Sequence, residues 1–149
     1  MKKLFATEAR ITQGFGVNGD YYKQFNLPGH EGLDIVPTGQ DWTIFSPFAG
    51  EIARAYESEV YGKTVMIFNR EYGLSTRLAH LAEIFVKPGQ LIKSGHSVGM
   101  MGNTGKSHGA HLHINMVPMF KWGERVYADN EYRGRIDPLG ILWMLEYAL

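Results

Sequence analysis

No cysteine occurs in the 149 residues. Disulfides, thiolate metal sites and a cysteine nucleophile are therefore excluded, and any metal must be held by histidine and carboxylate side chains. Net charge is missing as well. The 15 Lys+Arg balance the 15 Asp+Glu, so no global field steers the chain toward nucleic acid or an anionic surface. No apolar run approaches the roughly 18 residues of a transmembrane helix. The opening MKKLFATEAR has the basic start of a secretory leader, but only Leu4-Phe5-Ala6 precede Thr7, Glu8 and Arg10. That falls short of the roughly 7–15 apolar residues such a leader carries. A soluble chain with no export signal of its own is the expectation.

Glycine is plentiful, 18 residues where an average chain carries roughly 7%. Tight turns follow, and with them β architecture. Short strands are expected at Ile11–Phe15, Asp34–Val36, Thr43–Phe45, Gly50–Tyr56, Thr64–Phe68 and Leu74–His80. Two turn-rich half-hairpins, VKPGQLIKSGHSVGMMGNTGKS, then lead to HGAHLHI. One helix is marked near the C-terminus, where Asp137 caps, Pro138 takes the first helical position, and Leu139, Leu142, Trp143, Leu145 and Tyr147 form an apolar stripe. No linker, repeat or composition break divides the chain, so residues 1–149 read as one domain.

Half of the six histidines fall in HGAHLHI, residues 108–114. On a strand, His111 and His113 look to one face while Leu112 and Ile114 look to the other. A lone His-x-His is an ordinary polar strand face; it gains meaning from GHEGLD, residues 29–34, where His30 and Asp34 stand four apart. A zincin helix is ruled out there, since position 34 is aspartate and two glycines disfavour a helix. A loop running into a strand instead offers His30 and Asp34 to one metal. With His113 they make two imidazoles and a carboxylate, three ligands of a tetrahedral Zn²⁺ whose fourth position holds water. Such an ion acidifies its water and polarises a carbonyl. Hydrolysis then needs a group to take a proton and one to steady the oxyanion. His111, beside His113, and His80, in RLAHLAE, are the candidates.

The set resembles the lysostaphin/LytM-type zinc endopeptidases, which cut stem or cross-bridge peptides of bacterial peptidoglycan. The resemblance runs in order through RITQGFG, HEGLDIVPTG, SPFAGEI, YGKTVMI, LAHL, VKPGQLIKSGHSVGMMGNTGKS, HLHI and DPLGIL. It implies a mainly β fold, antiparallel sheets forming a groove (duplicated hybrid motif-like), closed here by the C-terminal helix. It implies one Zn²⁺ on His30, Asp34 and His113, catalytic roles for His80 and His111, and a peptidoglycan peptide as substrate. A monomer is assumed. Departures from the family pattern are Leu78, where an aromatic is common, His108, where a small or hydroxyl residue is common, and Ile114-Asn115, where an aromatic and a glutamate are frequent.

Other groups have plainer readings. Glu31 is expected to face solvent beside the loop ligand, and His108 to sit in an exposed loop. His96 receives no role. Trp42, Trp122 and Trp143 are expected in the core rather than stacked on sugars. The segments Asn18–Asn26 and Met119–Arg133 read as loops that wall a cleft. Two other functions compete with this reading. A non-catalytic wall-binding or regulatory relative would be expected to lose ligands, and all five positions are filled. A lipoyl- or biotinyl-like carrier needs a modifiable lysine at a hairpin tip, a setting that Lys63, Lys87, Lys93 and Lys106 lack. A wall substrate without an export signal fits a phage lysin or virion-associated enzyme.

Overall fold

Runs of alternating apolar and polar residues between glycine turns build the strands of the protein, for which a computed structural model describes residues 2–148. They are β1 (Lys2–Lys3), β2 (Ala9–Gln13), β3 (Leu33–Pro37), β4 (Thr43–Phe45), β5 (Gly50–Ser58), β6 (Gly62–Asn69), β7 (Leu74–Ile84), β8 (Leu91–Ile92), β9 (Ser97–Met101), β10 (Leu112–Lys121), β11 (Glu124–Arg125) and β12 (Tyr147–Ala148). A single turn of helix, α1 (Gly19–Tyr22), runs into a 3-10 turn at Lys23–Phe25, and α2 spans Pro138–Met144. The main sheet is antiparallel, in the order β2-β3-β10-β7-β6-β5-β8, with β11 on β10 and β9 joining β7 to β4. The mainly β class with a small C-terminal helix is thus the observed one. No helix among the described residues is long and apolar enough to cross a membrane.

β10 lies between β3 and β7 and sets the register of the groove. His113 stands opposite Asp34 on one side and opposite Ala79 on the other. Its neighbours Leu112 and Ile114 pair with Ile35 and Leu33, and all four are buried in the core. The period of two holds here as expected. It breaks on β7. Against β6, Leu78 pairs with Val65 and Leu81 with Lys63, so β7 carries one residue more than its partner in this interval. Such a bulge re-aims side chains, and within it His80 takes φ +63°.

The closing elements follow local rules. The Asp137 carboxylate accepts the Leu139 N–H at 3.0 Å and Pro138 opens α2. Leu142 is buried on the core cluster, with Leu139 and Leu145 packed against it. The short apolar run near the start also joins the core through Leu4 and Phe5. Here β1 pairs with β12 in parallel. The tryptophans correct the sequence reading, because Trp42, Trp122 and Trp143 are 39%, 40% and 68% exposed. Each sits at the margin of an element: before β4, in the β10–β11 turn, or on the outer side of a seven-residue helix. Aliphatic residues, mostly from the strands, fill most of the interior.

Gly32 shows how tightly the groove floor is built. A Cβ there would run into the Ile114 carbonyl oxygen and lie 2.9 Å from His113 Cε1. Gly32→Ala is expected to destabilise the protein by about 1–3 kcal/mol, the usual cost of overpacking. Urea unfolding of the variant checks this, and an unchanged midpoint would contradict it.

Candidate metal centre

His30, Glu31 and Gly32 form the loop that feeds β3, and Asp34 is the second residue of that strand. The His30 backbone is pinned at both ends, donating its N–H to Val17 O at 2.8 Å and accepting from Gly16 N at 2.7 Å. Three donor atoms consequently meet. His30 Nε2 and His113 Nδ1 are 3.0 Å apart, His113 Nδ1 and Asp34 Oδ1 are 3.0 Å apart, and His30 Nε2 and Asp34 Oδ1 are 3.1 Å apart. All three residues are buried, and their donor atoms form a cluster able to hold one metal ion.

The protons decide whether this trio suits a cation. His30 Nδ1 lies 3.0 Å from the Gly14 carbonyl, which only accepts, so the ring proton sits there and Nε2 presents a lone pair. His113 Nε2 is buried without a well-formed hydrogen bond, and the nearest carboxylate oxygen, Glu31 Oε1, is 3.5 Å away. A proton on that nitrogen turns the Nδ1 lone pair toward Asp34 and His30. In this neutral form of the ring three lone pairs face one another. Tetrahedral ligands at about 2.0–2.1 Å from an ion would stand about 3.3 Å apart, close to the separations here. The donor set fits a metal ion.

Two further imidazoles flank the trio. His80 donates from Nδ1 to the Thr104 carbonyl at 2.7 Å and holds its left-handed backbone through N–H to Tyr61 O at 2.8 Å. Non-glycine residues adopt that conformation rarely, and such strain collects at functional sites. Burial disfavours the imidazolium of His80, the charges of His113 and His111 add to that, and its pKa is pushed down to about 4. The ring is neutral at physiological pH. His111 bonds from Nδ1 to Gly109 O at 2.8 Å, which leaves Nε2 facing Asp34 Oδ1 at 3.5 Å. The His80 and His111 ring centres are 4.8 Å apart. Asp34, His80, His111 and His113 line one cleft of about 560 Å³, and the fully buried His30 meets Asp34 and His113 from behind its floor.

Residues 28–127 match the profile of peptidase family M23. The chain belongs to that family. It is 45% identical over 89 residues to peptidoglycan DD-endopeptidase ShyA of Vibrio cholerae, a match that covers 59% of this chain and 20% of that protein. A structure described as a zinc-containing peptidase from Vibrio cholerae superposes with a TM-score of 0.60 at 30% identity, over 72% of this chain and 32% of that one. The catalytic domain of lysostaphin from Staphylococcus simulans shares the fold, with a TM-score of 0.68 at 22% identity over 90% of this chain and 92% of that domain. The chain spans about a fifth of the length of the first curated relatives it matches.

The walls of the M23 cleft come partly from where the sequence pointed. Asn18, Tyr21, Tyr22 and Phe25 line one side, from the segment Asn18–Asn26. Of Met119–Arg133, only Arg133 lines the cleft; the rest of that stretch carries the β10–β11 hairpin and the turns that follow it. His108 is exposed at the rim, 3.3 Å from the Tyr21 hydroxyl. His96 lies in an exposed turn between β8 and β9, and no tryptophan lines the cleft.

Glu31 overturns its expectation. It is 3% exposed, because Tyr61, Asn115 and Arg135 converge on its carboxylate from distant parts of the chain. Asn115 is one of the departures from the family pattern. Burial by itself would raise the Glu31 pKa, but the close approach and charge of His113, the charge of Arg135 and the hydrogen bond from Tyr61 override that and bring it down to about 2. The missed partners left no local signal, since Arg135 sits outside any motif and nothing in YGKTVMI marks its leading Tyr61 as a partner of Glu31.

The same carboxylates govern His113 in metal-free M23 protein. Burial opposes its charge, yet the hydrogen bond to Asp34 and the Glu31 carboxylate 3.5 Å from Nε2 push its pKa up to about 9 from 6.5. The folded state then holds this proton more tightly than the unfolded chain, so the contribution is full below pH 6.5 and lost as pH rises through 9. His80 acts in the opposite sense. Its folded value is about 4 against 6.5, so the unfolded chain takes the proton first and acidification below 6.5 costs stability. Chelator-treated protein is expected to melt highest near pH 6.5 and lower on either side. A melting temperature that climbs steadily from pH 6.5 to 9 would contradict this.

Proposed function

We propose that the chain is a zinc-dependent endopeptidase that hydrolyses a peptide bond of bacterial peptidoglycan, in a stem peptide or cross-bridge. The observation that carries this reading is the convergence of the His30, Asp34 and His113 donor atoms within 3.1 Å, beside two more imidazoles in an open cleft. The peptidoglycan endopeptidase among its relatives supports the substrate, and the structure described as zinc-containing supports the metal.

Zinc held by the three ligands would supply an acidified water and a polarised scissile carbonyl. The protein's own groups do the rest. His80, neutral at working pH and tethered through Nδ1 to Thr104 O, presents Nε2 to accept a proton and pass it to the leaving amine. His111, tethered through Nδ1 to Gly109 O, presents Nε2 beside Asp34, where its protonated form would steady the developing oxyanion. The tyrosines and Phe25 on the cleft wall exclude water from one side of the bound peptide.

Purified peptidoglycan from several wall types, digested with and without a strong chelator and read by mass spectrometry of released peptides, tests the assignment. Peptide release that stops on chelation and returns with zinc is expected. Release unaffected by the chelator would overturn the zinc mechanism. No release from any wall type would overturn the substrate.

The roles separate by substitution. Asp34→Ala is expected to lose most of the bound zinc. His80→Ala is expected to keep its zinc and lose roughly 10²–10⁴-fold in rate, the usual contribution of a general acid–base group. Zinc content by atomic absorption, set beside the rate, checks both. Loss of zinc from His80→Ala would make His80 a ligand instead.

A further inference from the structure

Glu31 stands beside the ligand His30 in sequence, yet its carboxylate turns away from the three donor atoms. Carboxylates are almost never fully buried without partners, and this one has partners from three separate parts of the chain. Oε1 accepts the Tyr61 hydroxyl at 2.5 Å and lies 3.5 Å from His113 Nε2. Oε2 accepts Asn115 Nδ2 at 2.7 Å and pairs with Arg135 Nε. Arg135 is itself buried and held by the Tyr132 carbonyl at 3.1 Å. The Arg77 guanidinium lies 4.2 Å over the Tyr61 ring and backs the hydroxyl that Glu31 uses. Nothing in this arrangement leaves the carboxylate free to swing to solvent or to the donor cluster.

His113 has one nitrogen on each side of this boundary. Nδ1 faces His30 and Asp34 at 3.0 Å, and Nε2 faces Glu31. A neutral imidazole carries a single proton, so whichever group claims it also decides where the lone pair points. A carboxylate at Nε2 keeps the proton there and the lone pair on Nδ1. It also makes that nitrogen a better donor to a cation, as outer-shell carboxylates do for metal-bound histidines.

We propose that Glu31 is the positioning residue of this site, orienting the His113 ring and placing its proton on Nε2 so that Nδ1 is free for the metal. The proposal rests on the reading of His30, Asp34 and His113 as metal ligands. It assigns a role to a side chain that lies outside the three-donor cluster.

The test is metal affinity, measured for Zn²⁺ and Co²⁺ by competition with a chromophoric chelator, on four forms of the full chain: the parent, Asp34→Ala, Glu31→Gln, and the double variant Glu31→Gln with Asn115→Asp. Glu31→Gln keeps the side chain's shape and removes its charge. It is expected to weaken binding about 10–100-fold, the usual cost of losing an outer-shell partner, and to shift the visible absorption of the bound Co²⁺. The double variant returns a carboxylate to the 2.7 Å contact between residues 31 and 115, and so to the neighbourhood of Arg135, without returning it to His113. Its thermal stability is expected to recover while its metal affinity stays low. Affinity that recovers together with stability would reduce Glu31 to a counter-charge for Arg135 and overturn the proposal, as would parent-like affinity in Glu31→Gln. Equal, weak binding by the parent and Asp34→Ala would instead overturn the metal reading itself.

Discussion

The groove depends on one antiparallel register, the pairing of β3 with β10 that sets Asp34 opposite His113. The pairing is held from below. Leu33 and Ile35 meet Ile114 and Leu112 on the core face, and a slip of one residue would turn these four into the groove and Asp34 and His113 into the core. The hydrophobic cost of such a slip, of order 1.5–3 kcal/mol for each large aliphatic side chain exposed, protects the site geometry without any contribution from the site itself. Stability and chemistry thus share one set of backbone bonds. Gly32 lets the strands close to that distance, since the space a side chain would need is taken by the Ile114 carbonyl and the His113 ring.

Around this pair, loops do what the sheet cannot. The rings of His30, His80 and His111 are each tied through Nδ1 to a backbone carbonyl, of Gly14, Thr104 and Gly109 in turn. A carbonyl accepts and never donates, so each tie settles both the ring's orientation and its tautomer, and in each case Nε2 is the nitrogen left without a proton. His113 is reversed. It uses Nδ1 for the site, and its other nitrogen meets a side chain, Glu31, rather than the backbone. The Thr104 loop is itself anchored, with its hydroxyl bonded to Leu81 O at 2.7 Å and to Lys63 N at 3.0 Å. The strained His80 backbone is thereby clamped from two strands.

Much of this was legible beforehand. Five polar side chains in two short motifs and one strand end, in a chain without thiols, limit the possible metal chemistry sharply, and the β10 alternation places His111 and His113 on one face by period alone. Legibility failed where a side chain's fate depends on a partner far along the chain. Glu31 reads as a solvent-facing neighbour of a loop residue because Asn115 and Arg135, which bury it, lie 84 and 104 residues later with no spacing that marks them. The tryptophans looked like core because ring size favours burial, whereas the interior was already filled by strand aliphatics and the rings remained at the margins.

What the sequence by itself determined is the inventory and its local order: which donors exist, that glycine turns separate short strands, that Asp137 and Pro138 start the last helix, and that the chain resembles a peptidase family. Only the tertiary structure decided which nitrogen of each histidine faces the site, that a bulge in β7 turns His80 toward it, and that Glu31 points inward to His113. The physical reason is range. Strand period and helix capping act over a few neighbouring residues and can be read along the chain. Tautomers, bulges and buried charges are set by hydrogen bonds between residues tens of positions apart, and these exist only once the sheet has closed.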